Sequence, residues 1–260
     1  MPSKYPDFIF ERAGSWCFYR NKALQPIEAT VPTDAESPIS QLLSERQDIA
    51  SSQHSHVCKA ILNNRKHIFP VYFKGMDFKS PRDAIKQQLS RSRAIKAFEA
   101  ELLLQSLGFG APTTLLTGWR QRMLFFKDRF FTLSATLTDY EDLYTIVAQL
   151  GKQPAFQKRV FIEQLSATIA RMHRENIGHG DLRAGNVMCR YSKEWHFSFI
   201  DNERTRKYRK LPERIRIKNL VQLNLLISPV INKTDRRRFF YNYSLLCYGE
   251  VNKNLLTKAI

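Results

Sequence analysis

Acidic side chains are scarce in this chain. Its 260 residues include 24 Asp and Glu against 41 Lys and Arg, a formal net charge of +17. An excess of that size draws a protein toward polyanions: phosphorylated sugars, anionic lipid surfaces or nucleic acid. No aromatic–basic RNA motif is present, which puts nucleic acid last among the three. No apolar run is long enough to cross a bilayer, so no helical membrane span is predicted. The opening residues, Met1 to Asp7, lack the apolar centre of a secretion signal, and a cytoplasmic location is expected. The four cysteines (Cys17, Cys58, Cys189 and Cys247) are far apart and form no zinc-type pair. They read as reduced thiols, not as a disulfide framework. No internal repeat is visible. What the chain does have is apolar content: 43% hydrophobic and 12% aromatic residues argue for a packed globular protein.

Hydrophobic periodicity predicts an α+β chain. Residues 8–19 are aromatic-rich and suggest one or two strands, and 28–38 read as a loop. Ser37-Pro38 looks like the cap and first residue of a helix over 39–47. Strands follow at 57–62 and 67–73 around the turn Asn63-Asn64-Arg65-Lys66, and Lys74 ends the second. A mostly polar helical stretch opens at Ser80-Pro81 and runs from Ser92 through Leu107, with Phe98, Leu102, Leu103 and Leu107 at helical spacing. Strands at 113–119 and 130–137 lead through a connector to a helix ending near Leu150. From Pro154 the pattern is strongly helical, with Phe161, Leu165, Ile169 and Met172 as one core stripe. A short hairpin spans 187–200, and helices fill the remainder. The implied organisation is an extension over 1–53 that begins a small lobe, a β-rich lobe over 54–138 and a helical lobe over 139–260.

The chemistry sits in His179-Gly180-Asp181-Leu182-Arg183-Ala184-Gly185-Asn186, followed by Phe199-Ile200-Asp201. This is the pattern H-x-D-x-x-x-x-N with a downstream Asp, which serves phosphoryl transfer. Such transfer asks for positioning and charge neutralisation more than for covalent chemistry. Asp181 is the candidate to receive, or to orient, the proton of an attacking hydroxyl. Asn186 and Asp201 offer one neutral and one charged oxygen, both suited to Mg2+. Arg183 is spaced to hold the transferring phosphate bidentately, or faces solvent. Glu203 is either a further metal oxygen or, more in keeping with the basic residues around it, the partner of an arginine. Lys74 is the best-placed cation for nucleotide phosphates, with Lys79 as alternative. Glu99 and Glu101 both qualify as its carboxylate partner, with Glu99 preferred. They point to different helix faces, so only one serves. A glycine-rich phosphate loop is missing: Ala50-Ser51-Ser52-Gln53-His54-Ser55 has no glycine where one is expected.

With these residues in hand, the chain resembles the lipopolysaccharide kinase family, over about 57–243. Three further segments are similar to that family. One is the basic helix from Ser92 that ends in Gly108-Phe109-Gly110-Ala111-Pro112. The others are the approach Met172 to Leu182 and the helix Lys218-Asn219-Leu220-Val221-Gln222-Leu223-Asn224. The resemblance implies a bilobal protein-kinase-like fold, ATP with Mg2+ as cofactors, and a sugar hydroxyl of the lipopolysaccharide inner core as acceptor. It also implies Asp181 as catalytic acid residue, Asn186 and Asp201 as metal ligands and Lys74 as nucleotide lysine. The acceptor is then an anionic glycolipid or phosphorylated sugar at the cytoplasmic face of the inner membrane. The basic residues between Arg204 and Lys218 would meet that acceptor or the lipid headgroups. Three other readings stay open: an atypical protein kinase, a small-molecule kinase of the antibiotic-modifying type, and a pseudokinase that binds a partner.

Overall fold

The computed structural model describes residues 4–24, 39–49, 53–64, 67–78, 80–122 and 126–252. The chain divides into two units, residues 1–101 with 112–137, and residues 102–111 with 138–260. The loop expected over 28–38, the Ser37-Pro38 cap, Arg65-Lys66, Lys79 and residues 50–52 of the glycine-free loop lie outside the described residues.

The first unit holds β1 (Phe8–Ala13), β2 (Trp16–Asn21), β3 (Leu43–Ile49), β4 (Ser55–Asn64), β5 (His67–Met76), α1 (Pro81–Leu89), the start of α2 (Arg93–Ser106), β6 (Thr114–Arg122) and β7 (Phe126–Ala135). The seven strands form one antiparallel sheet in the order β1-β2-β6-β7-β5-β4-β3. Alternation sorts its faces. Cys58, Ala60 and Leu62 of β4 pair across the ladder with Phe73, Val71 and Phe69, and the described members of this row join Trp16, Phe18, Leu116 and Leu133 in one core. The opposite face carries Lys74 and Met76, and Met76 packs with Phe130 and with Ala94 of α2.

Two expectations change here. The segment predicted as a helix over 39–47 is a single 3-10 turn, Ser40–Leu42, followed by β3. Its helix-forming residues Glu45, Arg46 and Gln47 are overridden by pairing with β4, a tertiary gain that outweighs local propensity. Lys74 does not end its strand, because β5 continues two residues further to Met76.

The second unit begins with the end of α2 and continues with β8 (Glu141–Asp142), α3 (Leu143–Leu150), α4 (Ala155–Arg174), β9 (Ile177–Gly178), β10 (Val187–Tyr191), β11 (Trp195–Phe199), β12 (Arg206–Lys207), α5 (Glu213–Asn224) and α6 (Lys233–Tyr248). The stripe Phe161, Leu165, Ile169 and Met172 of α4 is buried, as its spacing predicts. It packs with Leu143, Val147, Leu220, Phe240 and Tyr243 from the other helices. Asp142 caps α3 by accepting from the Tyr144 and Thr145 amides at 2.8 and 3.1 Å. A capping box of Asn232 and Asp235 starts α6, and Gly249 at φ 76° ends it. Among the described residues, no helix is long and apolar enough to cross a membrane.

Candidate active site

Leaving β9, the chain turns at Gly180, whose φ is +76°. A Cβ there would also sit 2.9 Å from the Arg204 backbone oxygen, so only glycine fits. Asp181 follows, with a side chain 15% exposed. Its Oδ1 accepts from Gln222 Nε2 at 3.0 Å and forms an ion pair with Arg183 Nε, also at 3.0 Å, and Arg204 Nη1 lies 4.0 Å from Oδ2. The amide nitrogen of Asn186 donates to the Asp181 carbonyl at 2.8 Å. A carbonyl only accepts, so the Asn186 amide oxygen is left as an acceptor for another donor or a cation.

One helix holds this loop. In α5, Lys218 donates to the Gly180 carbonyl at 2.9 Å, Asn219 Oδ1 accepts the His179 amide at 3.1 Å, and Gln222 Oε1 accepts the Leu182 amide at 3.1 Å. Positions 218 and 222 are one turn apart and share a helix face. Lys218 was read from the sequence only as the end of the basic stretch meant for the acceptor, and Asn219 and Gln222 were not among the site candidates. The available signal was amides placed beside the buried Leu220 and Leu223 on an otherwise apolar stretch.

The β10–β11 hairpin brings in Asp201. Val187 pairs with Phe199, and the Ile200 amide donates to the Asn186 carbonyl at 3.0 Å. Asp201 itself is left-handed at φ 58°, ψ 49°, a conformation that Asp tolerates better than most residues. Strained backbone of this kind gathers at functional sites. His179 joins the two segments: its Nε2 donates to the Ile200 carbonyl at 3.1 Å. Burial pushes His179 down to about 4, although the Asp201 and Asp181 carboxylates both pull it upward. The two carboxylates therefore flank one neutral imidazole.

Asn202 and Glu203 stand where many kinases have Phe-Gly, and they play different parts. Asn202 is fully buried; its amide donates to the Phe199 carbonyl at 2.7 Å. Thr205 Oγ1 lies 3.2 Å from both Asn202 Oδ1 and the His179 carbonyl. The arginine pairing expected of Glu203 is not found: among the described residues it forms no ion pair, and its Oε2 is buried without a partner. The reason is local. The 3-10 turn Asn202–Arg204 directs Arg204 to Asp181, and β12 carries Arg206 into solvent. The donor set of this region is all oxygen, with one orphaned carboxylate oxygen a turn beyond Asp201, and it fits Mg2+.

The basic stretch divides as well. Arg216 turns inward and donates to the Tyr243 hydroxyl at 2.9 Å. Tyr243 bonds His173 Nδ1 at 2.7 Å, and His173 Nε2 lies 3.3 Å from Asn219 Oδ1. Since Asn219 Oδ1 only accepts, His173 donates from Nε2 and accepts at Nδ1. It is neutral, pushed down by burial to about 3. Arg206, Lys207, Arg209, Lys210 and Arg214 are exposed.

Both histidines make stability depend on pH. Their folded values, about 3 and about 4, lie below the ordinary 6.5. Their contribution is complete above pH 6.5 and is lost as pH falls toward those folded values, because only the unfolded chain takes up the protons. We expect unfolding free energy from urea titrations to fall by about 2 kcal/mol per histidine from pH 7 to pH 5. A His173→Gln variant should show about half that slope.

In the first unit, Lys74 sits in β5 opposite Val57 and Thr132. Glu99 is taken up by the N-terminal segment and by the turn before α2: Lys4, Tyr5 (2.6 Å) and Arg91 (2.7 Å) all bond its carboxylate. Burial alone would raise Glu99, but these bonds hold it below its ordinary value. Glu101 is the buried one. With Ala94 and Phe98 it forms the i, i+4, i+7 stripe that α2 buries. It accepts from the Thr114 hydroxyl, and Thr114 pairs with Ser134, two residues from Lys74's own partner Thr132.

The family model described as "Lipopolysaccharide kinase (Kdo/WaaP) family" matches residues 43–243. A comparison with curated proteins finds no match. Among solved structures, this chain is similar to one titled "WaaP in complex with acyl carrier protein". The TM-score is 0.62 at 18% identity, covering 84% of this chain and 87% of that one. At that identity the likeness is one of fold.

Proposed function

Since this chain belongs to the lipopolysaccharide kinase (Kdo/WaaP) family, we propose that it is an ATP- and Mg2+-dependent kinase that phosphorylates a sugar hydroxyl of the lipopolysaccharide inner core. Family membership implies a phosphotransferase; the acceptor, the nucleotide and the site roles are our reading. The sheet-bearing unit is the β-rich lobe of a protein-kinase-like fold, and the helical unit is its C-lobe. The observation that carries the reading is the gathering of Asp181, Asn186 and Asp201 around neutral His179.

Asp181 accepts a hydrogen bond from the acceptor hydroxyl, orients it and takes its proton. Gln222 keeps the Asp181 carboxylate aimed while it does so. Arg183, 66% exposed, swings from Asp181 to hold the transferring phosphate in two-point contact. Asn186 and Asp201 hold the metal, with Glu203 close in sequence. Bound MgATP supplies the phosphoryl group and a metal that neutralises its oxygens. Lys74 binds the nucleotide phosphates, and Glu101, not Glu99, holds Lys74. Helical register favours that choice, as does the saturation of Glu99 by three other donors. The five exposed cations between 206 and 214 face an anionic glycolipid acceptor or membrane surface, at the cytoplasmic face of the inner membrane. Each contributes about 1 kcal/mol near such a surface, so attachment is salt-sensitive.

The test is incubation with labelled ATP and Mg2+ against lipopolysaccharide core, protein and aminoglycoside acceptors, with mass analysis of the product. Label on the core sugar is the expected result. Label on protein or aminoglycoside alone shifts the reading to the corresponding kinase type, and no Mg2+-dependent nucleotide binding makes the chain a pseudokinase. In the same assay Glu101→Gln should raise the KM for ATP about tenfold, the loss of one charged contact, while Glu99→Gln leaves it unchanged.

A further inference from the structure

No cysteine pair suggests a metal site in the sequence, yet the sheet assembles a three-donor cluster of its own. Asp48 of β3 and His56 and Cys58 of β4 bring a carboxylate oxygen, an imidazole nitrogen and a thiol sulfur within 4.8 Å of one another. His56 and Cys58 are two apart on one strand and therefore share a face. Asp48 pairs directly with Cys58 across the ladder. That pairing depends on an irregularity. Ser44 pairs with Ile61 but Gln47 with Lys59, so one extra residue is accommodated between them, at Glu45, whose φ is +50°. An unbroken register would set Gln47 opposite Cys58 and turn Asp48 to the other face. Bulges of this kind re-aim side chains.

We propose that Asp48, His56 and Cys58 bind one thiophilic divalent cation, Zn2+ foremost, with three protein ligands and a fourth position open to water. The donor types select the ion. Thiolate and imidazole suit Zn2+, whereas Mg2+ and Ca2+ take oxygen sets. The ion therefore does not compete for Asn186 and Asp201. Binding removes the Cys58 thiol proton to solvent, and thiolate plus carboxylate balance the two positive charges. Zn2+ sits about 2.0–2.3 Å from such donors, so closing the cluster asks for movements of up to roughly one ångström. Two donors have room for that: Asp48 and His56 are 75% and 45% exposed and already lie 3.3 Å apart. Cys58 is fully buried and forms the fixed floor. The bound ion clips β3 to its antiparallel neighbour β4.

The experiment uses the full chain, stripped by a chelator and titrated with Zn2+ against a chromophoric competitor. We expect one Zn2+ per chain. Loss of an outer-shell partner costs roughly 10–100-fold in affinity, and loss of a ligand costs no less, so His56→Asn and Cys58→Ser should each weaken binding about 100-fold. Co2+ substitution should give a thiolate charge-transfer band that Cys58→Ser abolishes. The exposed Asp48→Asn and His56→Asn variants keep the test readable if the buried cysteine variant misfolds. Absence of stoichiometric binding, or affinity unchanged in the His56 and Asp48 variants, overturns the site.

Discussion

Replacing Asp181 by Asn should lower phosphoryl transfer about 1,000-fold, the middle of the range for a lost general base, while the protein stays folded. Asparagine matches aspartate in size and keeps the oxygen that Gln222 addresses, so the loop path from Gly180 to Asn186 is preserved. What it loses is the capacity to take a proton. The stability cost is small for a separate reason. The two cations on Asp181 are well exposed, Arg183 at 66% and Arg204 at 53%. Water takes over both, and exposed pairs of this kind contribute about 0–1 kcal/mol. Turnover with the core acceptor and the thermal midpoint, measured on one preparation, check both halves. Wild-type turnover in this variant would remove Asp181 from the chemistry.

Gly110→Ala should give the largest loss of stability among single-methyl changes near the site. A Cβ at 110 would lie 2.4 Å from the Phe197 carbonyl oxygen and 2.9 Å from Ser198 Cα. Both are backbone atoms of β11, so no side chain can swing aside. Overpacking against fixed atoms costs about 3 kcal/mol, which lowers the thermal midpoint by roughly 8 °C in a protein of this size. The disturbance also reaches function. The Phe199 amide donates to the Gly110 carbonyl at 2.9 Å, and Phe199 lies two residues before Asp201. Displacing β11 moves Asp201 relative to Asn186, so turnover should fall more than the folded fraction does. A midpoint unchanged from wild type would show that the approach of residue 110 to β11 is looser than described.

Much of this arrangement was legible from residues alone. The α4 stripe and the β10–β11 hairpin declared themselves because their periods, 3.6 and 2, were unbroken. Asp181, Asn186 and Asp201 were legible as a spacing, and hydrogen bonds through His179 gather that spacing into one place. Three features were hidden, each for a physical reason. The β3 segment is made of helix formers, and only its ladder with β4 makes it a strand. The α2 face was read from Phe98 and leucines 102, 103 and 107. Helix packing buries Phe98 as read, but joins it with Ala94, Glu101 and Leu104, so a carboxylate sits where a pattern of apolar residues has no slot for it. The α5 contacts join residues about 40 positions apart, beyond the reach of any local pattern.

The grip of α5 on the loop falls mainly on amide and carbonyl groups: the oxygen of Gly180 and the nitrogens of His179 and Leu182. Such a grip is blind to which side chains the gripped residues bear. Arg183, exposed at 66%, is thereby at liberty to change its rotamer without loosening the loop, while buried Leu182 and Ala184 and the track that carries Asp181 to Asn186 stay in place.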